Sequence, residues 1–101
     1  MEPKVIAMPS RLDARVVTEM RQIVEKAFDS GADLIIFNFE ACKFMDSLGL
    51  SIIVTGLKLS GSKNKKLRLV HVGKEVRLLL QITRFDRICD IHETMDTARE
   101  I

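Results

Sequence analysis

Apolar residues recur along this chain with two distinct periods. Val16/Val17, Met20, Ile23/Val24 and Ala27/Phe28 stand three or four positions apart, with Arg15, Glu19, Arg21, Gln22, Glu25 and Lys26 between them. That spacing predicts an amphipathic helix from Ala14 to Phe28. Asp29-Ser30-Gly31 closes it, the glycine supplying a left-handed residue. Leu34 to Phe39 is apolar apart from Asn38, as expected of a strand buried on both faces. Upstream, Lys4 to Met8 predicts a first strand, ended by Pro9, and Ser10 to Asp13 a turn. Downstream, Leu50, Ile53, Val54 and Leu57 fall at i, i+3, i+4 and i+7, a helix over Leu48 to Leu59. Leu48, Ile52 and Leu59, with Thr55, form a second apolar stripe on that helix, either a partner-binding ridge or a face covered by neighbouring helices. Ser60 to Lys66 reads as a polar turn with a basic cluster, Leu67 to Val72 as a third strand, and Gly73-Lys74-Glu75 as the start of a third helix.

Strand alternating with helix predicts an α/β fold, a small mostly parallel sheet of about four strands alternating with and flanked by about four helices. Such sheets carry their functional loops beyond the carboxyl ends of the strands. Three loops then share one edge: Pro9 to Asp13, Cys42 to Ser47 and Val72 to Glu75, which makes Ser47, Asp13 and Lys74 potential neighbours. The lysines of the Ser60 to Lys66 segment fall at the far end of a helix about 18 Å long, too distant to hold a phosphate at Ser47.

The junction Phe44-Met45-Asp46-Ser47-Leu48-Gly49-Leu50 joins the apolar strand to the apolar helix. Asp46 is placed to be an N-cap, with Met45 and Leu50 at the N′ and N4 positions of a hydrophobic staple. Gly49 then occupies N3, where a capping box would have Glu or Gln and where glycine costs about 1 kcal/mol against Ala. Close approach by another backbone or molecule would explain it. Ser47 sits just inside the helix start with its hydroxyl outward, beside N–H groups that favour a phosphate.

Met45, Asp46, Ser47, Gly49 and Leu50, between a strand and an apolar helix, resemble the signature of the STAS domain, in particular the bacterial anti-sigma factor antagonists. Leu48 departs from the small or hydroxyl residue usual between Ser and Gly. The resemblance covers nearly the whole chain: Leu12-Asp13 and the helix to Phe28, Gly31-Ala32-Asp33, Leu67 to Val70 followed by a Val76/Leu79/Leu80 helix, and Ile82 to Ile88, similar to the family's helix and turn into a last short strand. Only Lys4 to Met8 is available as strand before the turn, so the extra leading strand common in the family is expected to be missing. The resemblance implies a single STAS domain over residues 1–101 and an anti-sigma factor antagonist with Ser47 as the phosphorylated residue. It implies two partners, an anti-sigma factor with serine kinase activity and a PP2C-type serine phosphatase. Unphosphorylated protein would sequester the anti-sigma factor and release sigma. Asp13, Asp46, Leu48, Gly49 and Ile52 are the expected partner-binding residues, with Asp46 and Gly49 shaping the acceptor loop. The alternative is a STAS scaffold module of a stressosome, lipid-transport or anion-transport complex without a phospho-switch.

Composition adds mainly exclusions. The 101 residues are 47% hydrophobic and 30% charged, with a net charge of +2 and no Trp or Tyr, which argues against direct nucleic-acid binding. Cys42 and Cys89 stand far apart without CxxC spacing and read as free thiols of a reducing compartment. The first ten residues lack a signal-peptide pattern, and Leu48 to Leu59 falls short of the roughly 20 residues of a membrane span, so a cytoplasmic, non-membrane protein is expected. His71 could approach Ser47, but Met45 stands where a G-x-S-x-G elbow needs glycine. No catalytic residue, metal site or cofactor is expected, and hence no enzyme activity; His71 and His92 have no metal-ligand spacing. Monomer and weak dimer both remain open.

Overall fold

A computed structural model describes residues 2–100. Its main sheet holds four parallel strands, β1 (Lys4–Ala7), β3 (Leu34–Asn38), β5 (Lys66–Val70) and β6 (Asp90–His92), in the spatial order β1-β3-β5-β6. A separate two-stranded parallel ladder pairs β2 (Arg11–Leu12) with β4 (Phe44–Met45). The helices are α1 (Val17–Phe28), α2 (Ser47–Lys63), α3 (Lys74–Ile82) and α4 (Met95–Arg99), with a 3-10 turn at Phe85–Arg87. The α/β class and the parallel sheet are as the sequence predicts.

Each strand of the main sheet lies beside the one before it, so successive crossovers of one hand carry their helices to one face. That face bears Ile6, Ile35, Phe37, Leu67 and Leu69, packed with Met20, Val24 and Phe28 of α1, Ile52 and Ile53 of α2, and Val76 and Leu80 of α3. The opposite face, with Leu34, Ile36 and Val70, is left to the five-residue α4, which covers it with Ala98 and Met95. Strand β3 is therefore buried on both sides, as its continuous apolar run requires.

Arg68 points to this second face from the middle of β5, only 9% exposed. Its Nη1 donates to the carbonyl oxygens of Ala98, at 3.0 Å, and Glu100, so a buried cation ties down the C-terminal end of α4. Nε lies 3.2 Å from Asp90 Oδ2, off the line of a hydrogen bond.

Several boundaries differ from expectation. The Ser10 to Asp13 turn contains β2, too short for any periodic signal. Helix α1 starts at Val17 rather than Ala14, because Asp13 first closes a turn with the N–H groups of Arg15 and Val16. Strand β5 begins at Lys66 and ends at Val70, where His71 takes a left-handed φ of 58°.

The largest difference is in α2, which runs through Ser60-Gly61-Ser62-Lys63 and ends only at Asn64, a left-handed cap with φ 55°. Ser60 and Ser62 hydroxyls donate back to the Leu57 and Leu59 carbonyls, and Lys63 Nζ reaches Asp29 Oδ1 at 2.7 Å beyond the end of α1. Local tertiary contacts thus override the weak helix propensity of that segment. They also carry the basic cluster farther from Ser47.

Gly56 sets the approach of α2 to the sheet: a Cβ there would lie 2.8 Å from Phe37 Cζ and 2.9 Å from Leu67 Cδ2, whereas one on Gly61 meets nothing within 4 Å. Gly56→Ala is expected to cost about 1–3 kcal/mol through overpacking. Gly61→Ala, in an exposed helical turn, should instead gain roughly 0.5–1 kcal/mol. Urea denaturation of the two variants checks both signs.

Candidate functional site

At the head of α2, Asp46 adopts extended geometry and its Oδ1 accepts from the N–H groups of Leu48 and Gly49, each at 3.0 Å. The Leu50 N–H donates to the Asp46 carbonyl oxygen at 2.9 Å. Asp46 is thus the N-cap, and Met45 and Leu50, both buried in the core, flank it as the staple spacing predicts. Ser47 follows at the first helical position, exposed. Leu48 beside it is 48% exposed.

The glycine at the third position has a backbone reason. A Cβ on Gly49 would lie 2.0 Å from the Leu12 carbonyl oxygen and 2.7 Å from Met45 Cγ. The chain entering from β2 is pressed against the first turn of α2, and only hydrogen fits between them. The β2–β4 ladder holds it there, with Arg11 level with Phe44 and Leu12 level with Met45. The Lys43 N–H donates to the Ser10 carbonyl oxygen at 2.9 Å, and the Arg11 guanidinium sits 4.4 Å from the centre of the Phe44 ring. Arg11 is the residue that sequence reasoning passed over. Its partner lies 33 positions away on a two-residue strand, and no local pattern signals such a pairing.

The remaining expected residues divide by exposure. Asp13 is brought beside the junction by the ladder, but it is only 7% exposed. Its Oδ1 accepts from the Arg15 N–H at 3.1 Å, and Oδ2 lies 3.5 Å from Arg11 Nε. Gly49 is likewise buried. Ile52 corrects the expectation outright: it is 0% exposed and cannot touch a partner. Helix α2 is packed against both the sheet and α1, where Arg21 Nη2 donates to Ser51 Oγ at 3.2 Å, so the second apolar stripe is inward too. Leu59 is half-buried against the same core, leaving Leu48 as the exposed member of that stripe. Lys74 is exposed at the start of α3 and, among the described residues, forms no ion pair or hydrogen bond with Asp46 or Ser47.

Cys42, in the loop before the junction, is buried with its thiol donating to the Phe44 carbonyl oxygen at 3.4 Å, and burial pushes its pKa up. Cys89 is pushed up to about 11 by burial, with the Asp86 charge adding to it. Both thiols are free, and both are protonated at neutral pH.

The STAS domain family matches residues 2–98. The anti-sigma-B factor antagonist of Staphylococcus aureus is 26% identical over 88 residues, covering 87% of this chain and 82% of the relative. A Thermotoga maritima protein assigned as an anti-sigma factor antagonist superposes with a TM-score of 0.83 at 27% identity, over 93% of this chain and 83% of that one. The anti-sigma factor antagonist SpoIIAA in its unphosphorylated form superposes with a TM-score of 0.79 at 23% identity, over 95% and 84% of the two chains. SpoIIAA from Bacillus has also been solved phosphorylated, with a TM-score of 0.72 to this chain.

Substitution at the junction should separate cap from close approach. Asp46→Ala is expected to cost about 1 kcal/mol, the usual loss of an N-cap. Gly49→Ala should cost about 3 kcal/mol or more, since the obstacle is a carbonyl oxygen that cannot rotate away. Chemical denaturation of the two variants side by side gives the comparison; equal losses would mean the contact with Leu12 relaxes freely.

Proposed function

The chain belongs to the STAS domain family, and from that membership together with the exposed serine at the head of α2 we propose that it is an anti-sigma factor antagonist switched by phosphorylation of Ser47. It is read as a single STAS domain that works in the cytoplasm by binding rather than by catalysis. Its partners would be an anti-sigma factor with serine kinase activity and a PP2C-type phosphatase that reverses the modification. With Ser47 unmodified it sequesters the anti-sigma factor and frees sigma; once phosphorylated, it lets go.

The observation that carries this reading is the combination of an exposed Ser47 with an N-cap already complete. Asp46 holds the N–H groups of Leu48 and Gly49, so a phosphate on Ser47 does not find an empty helix end to fold into. It adds about −1.5 to −2 charge next to an existing carboxylate and stays in solvent. The helix N-terminus offsets about 0.3–1 kcal/mol of that repulsion, so the core beneath is undisturbed. A partner seated over Ser47 and Leu48 would have to bury a dianion beside Asp46, and its affinity falls. Asp13 and Gly49 support this surface from behind by fixing the approach of β2, while Asp46 shapes the acceptor itself.

Two measurements test the proposal. After incubation with the cognate kinase and ATP, mass spectrometry should find one added phosphate, on Ser47, and none in Ser47→Ala; modification elsewhere sinks the assignment. Ser47→Asp should weaken binding of the anti-sigma factor at least about tenfold, while its stability stays within about 1 kcal/mol of the parent. Recovery of a membrane-transport complex instead of a kinase from the native cell would favour the scaffold alternative.

A further inference from the structure

The basic cluster Lys63-Asn64-Lys65-Lys66 plays no part in the switch, and the structure divides it. Lys63 is paired with Asp29, and Lys65 Nζ donates to the Ala32 carbonyl oxygen at 2.8 Å. Lys66 is exposed at the first position of β5 and, with Asn64, borders a cavity of about 260 Å³. Leu34 and Pro3 supply apolar wall, Arg68 and Arg99 two further cations, and Asp33 the one carboxylate among the lining residues. The cavity lies by the amino-terminal ends of β3 and β5, at the opposite end of the sheet from the strand ends that lead towards Ser47.

Accounting for the Arg68 guanidinium points to what belongs there. This side chain is nine-tenths buried. Nη1 is committed to the carbonyls of Ala98 and Glu100, and Nε is sealed beside Asp90 without an aligned acceptor. Among the described residues Nη2 has no acceptor, although Arg68 lines the cavity. Unlike Nε, Nη2 is not sealed from solvent, so its N–H groups are open to an acceptor in the cavity. Lys66 stands two residues before Arg68 on the same strand and hence on the same face. Among the described residues Arg99 pairs with Glu2, at 3.8 Å between two exposed side chains, a pairing worth little and readily exchanged. Lys66, Arg68 and Arg99 thus line the cavity with Asp33, over a small apolar patch, while Asp90 and Glu2 stand beside the two arginines.

We propose that this cavity is a binding site for a compact oxyanion, a phosphate or carboxylate carried on a small organic body. The forked donors of Arg68 and Arg99 suit a two-oxygen acceptor, Lys66 adds a point charge, and Leu34 and Pro3 take the carbon skeleton. The volume is below the roughly 300–1,000 Å³ of sites for larger ligands, which favours a three- or four-carbon acid or phosphate ester over a nucleotide. The site is separate from the proposed phosphoacceptor and does not depend on it.

Amide NMR shifts of the full chain report binding directly, on titration with inorganic phosphate, glycerol 3-phosphate or succinate against sodium chloride at equal ionic strength. Saturable shifts at Leu34, Lys66, Arg68 and Arg99 are expected with at least one of the three, and which one responds identifies phosphate or carboxylate as the anchoring group. Lys66→Gln and Arg99→Gln, which leave the core and the α4 tether in place, should each weaken it about tenfold. Ser47→Asp should leave it unchanged. Shifts that grow linearly, that chloride reproduces, or that persist in the Lys66/Arg99 double variant with its fold intact by circular dichroism would overturn the proposal.

Discussion

The contact on which the rest of this molecule depends is between two pieces of backbone: the Leu12 carbonyl and the first turn of α2 at Gly49. A side-chain carbon at Gly49 would come within 2.0 Å of that oxygen, so the approach exists only because glycine is there. It fixes where the loop after β1 crosses the head of α2. The two-residue ladder of β2 and β4 then becomes possible, and with it the stacking of Arg11 on Phe44. Ser47 is left exposed at the head of α2, two positions before that contact.

The sheet imposes a second constraint. With every crossover turning the same way, α1, α2 and α3 crowd one face and leave the other to a helix of five residues. A helix that short cannot bury enough apolar surface to hold itself in place. Arg68 compensates by binding the carbonyls at its C-terminal end, an unusual use of a charged residue in a central strand. The same side chain lines the cavity beside Lys66. The thin covering of the second face and the proposed anion site thus share one origin.

The two ends of the sheet therefore carry different sets of charged side chains. Around Ser47 the fixed side-chain charge is the carboxylate of Asp46, hydrogen-bonded into the helix. Around Arg68 stand Lys66 and Arg99, with Asp33, Asp90 and Glu2 as the nearby carboxylates. A modest overall net charge of +2 conceals this separation, because composition averages over positions.

Much of this was legible in the chain itself. The 3.6-residue period of α1, the unbroken apolar run of β3, the cap at Asp46 and the anomaly of Gly49 are local facts, readable because each depends on residues within a few positions of one another. What lay beyond reach depended on contacts between distant segments. The sequence pattern treated α2 as a helix with one buried face and an apolar stripe to spare, but Ile52 of that stripe is fully buried, one turn before Gly56, which faces Phe37 and Leu67 of the sheet. It ended α2 at Ser60-Gly61, yet an ion pair between Lys63 and Asp29 and a left-handed Asn64 move the end by a turn. Residues alone determined the elements, the cap at Asp46 and the need for close approach at Gly49. Which backbone makes that approach, which apolar stripe remains exposed and which lysines remain unpaired were decided only by tertiary packing, because each is a relation between segments that no periodicity along the chain encodes.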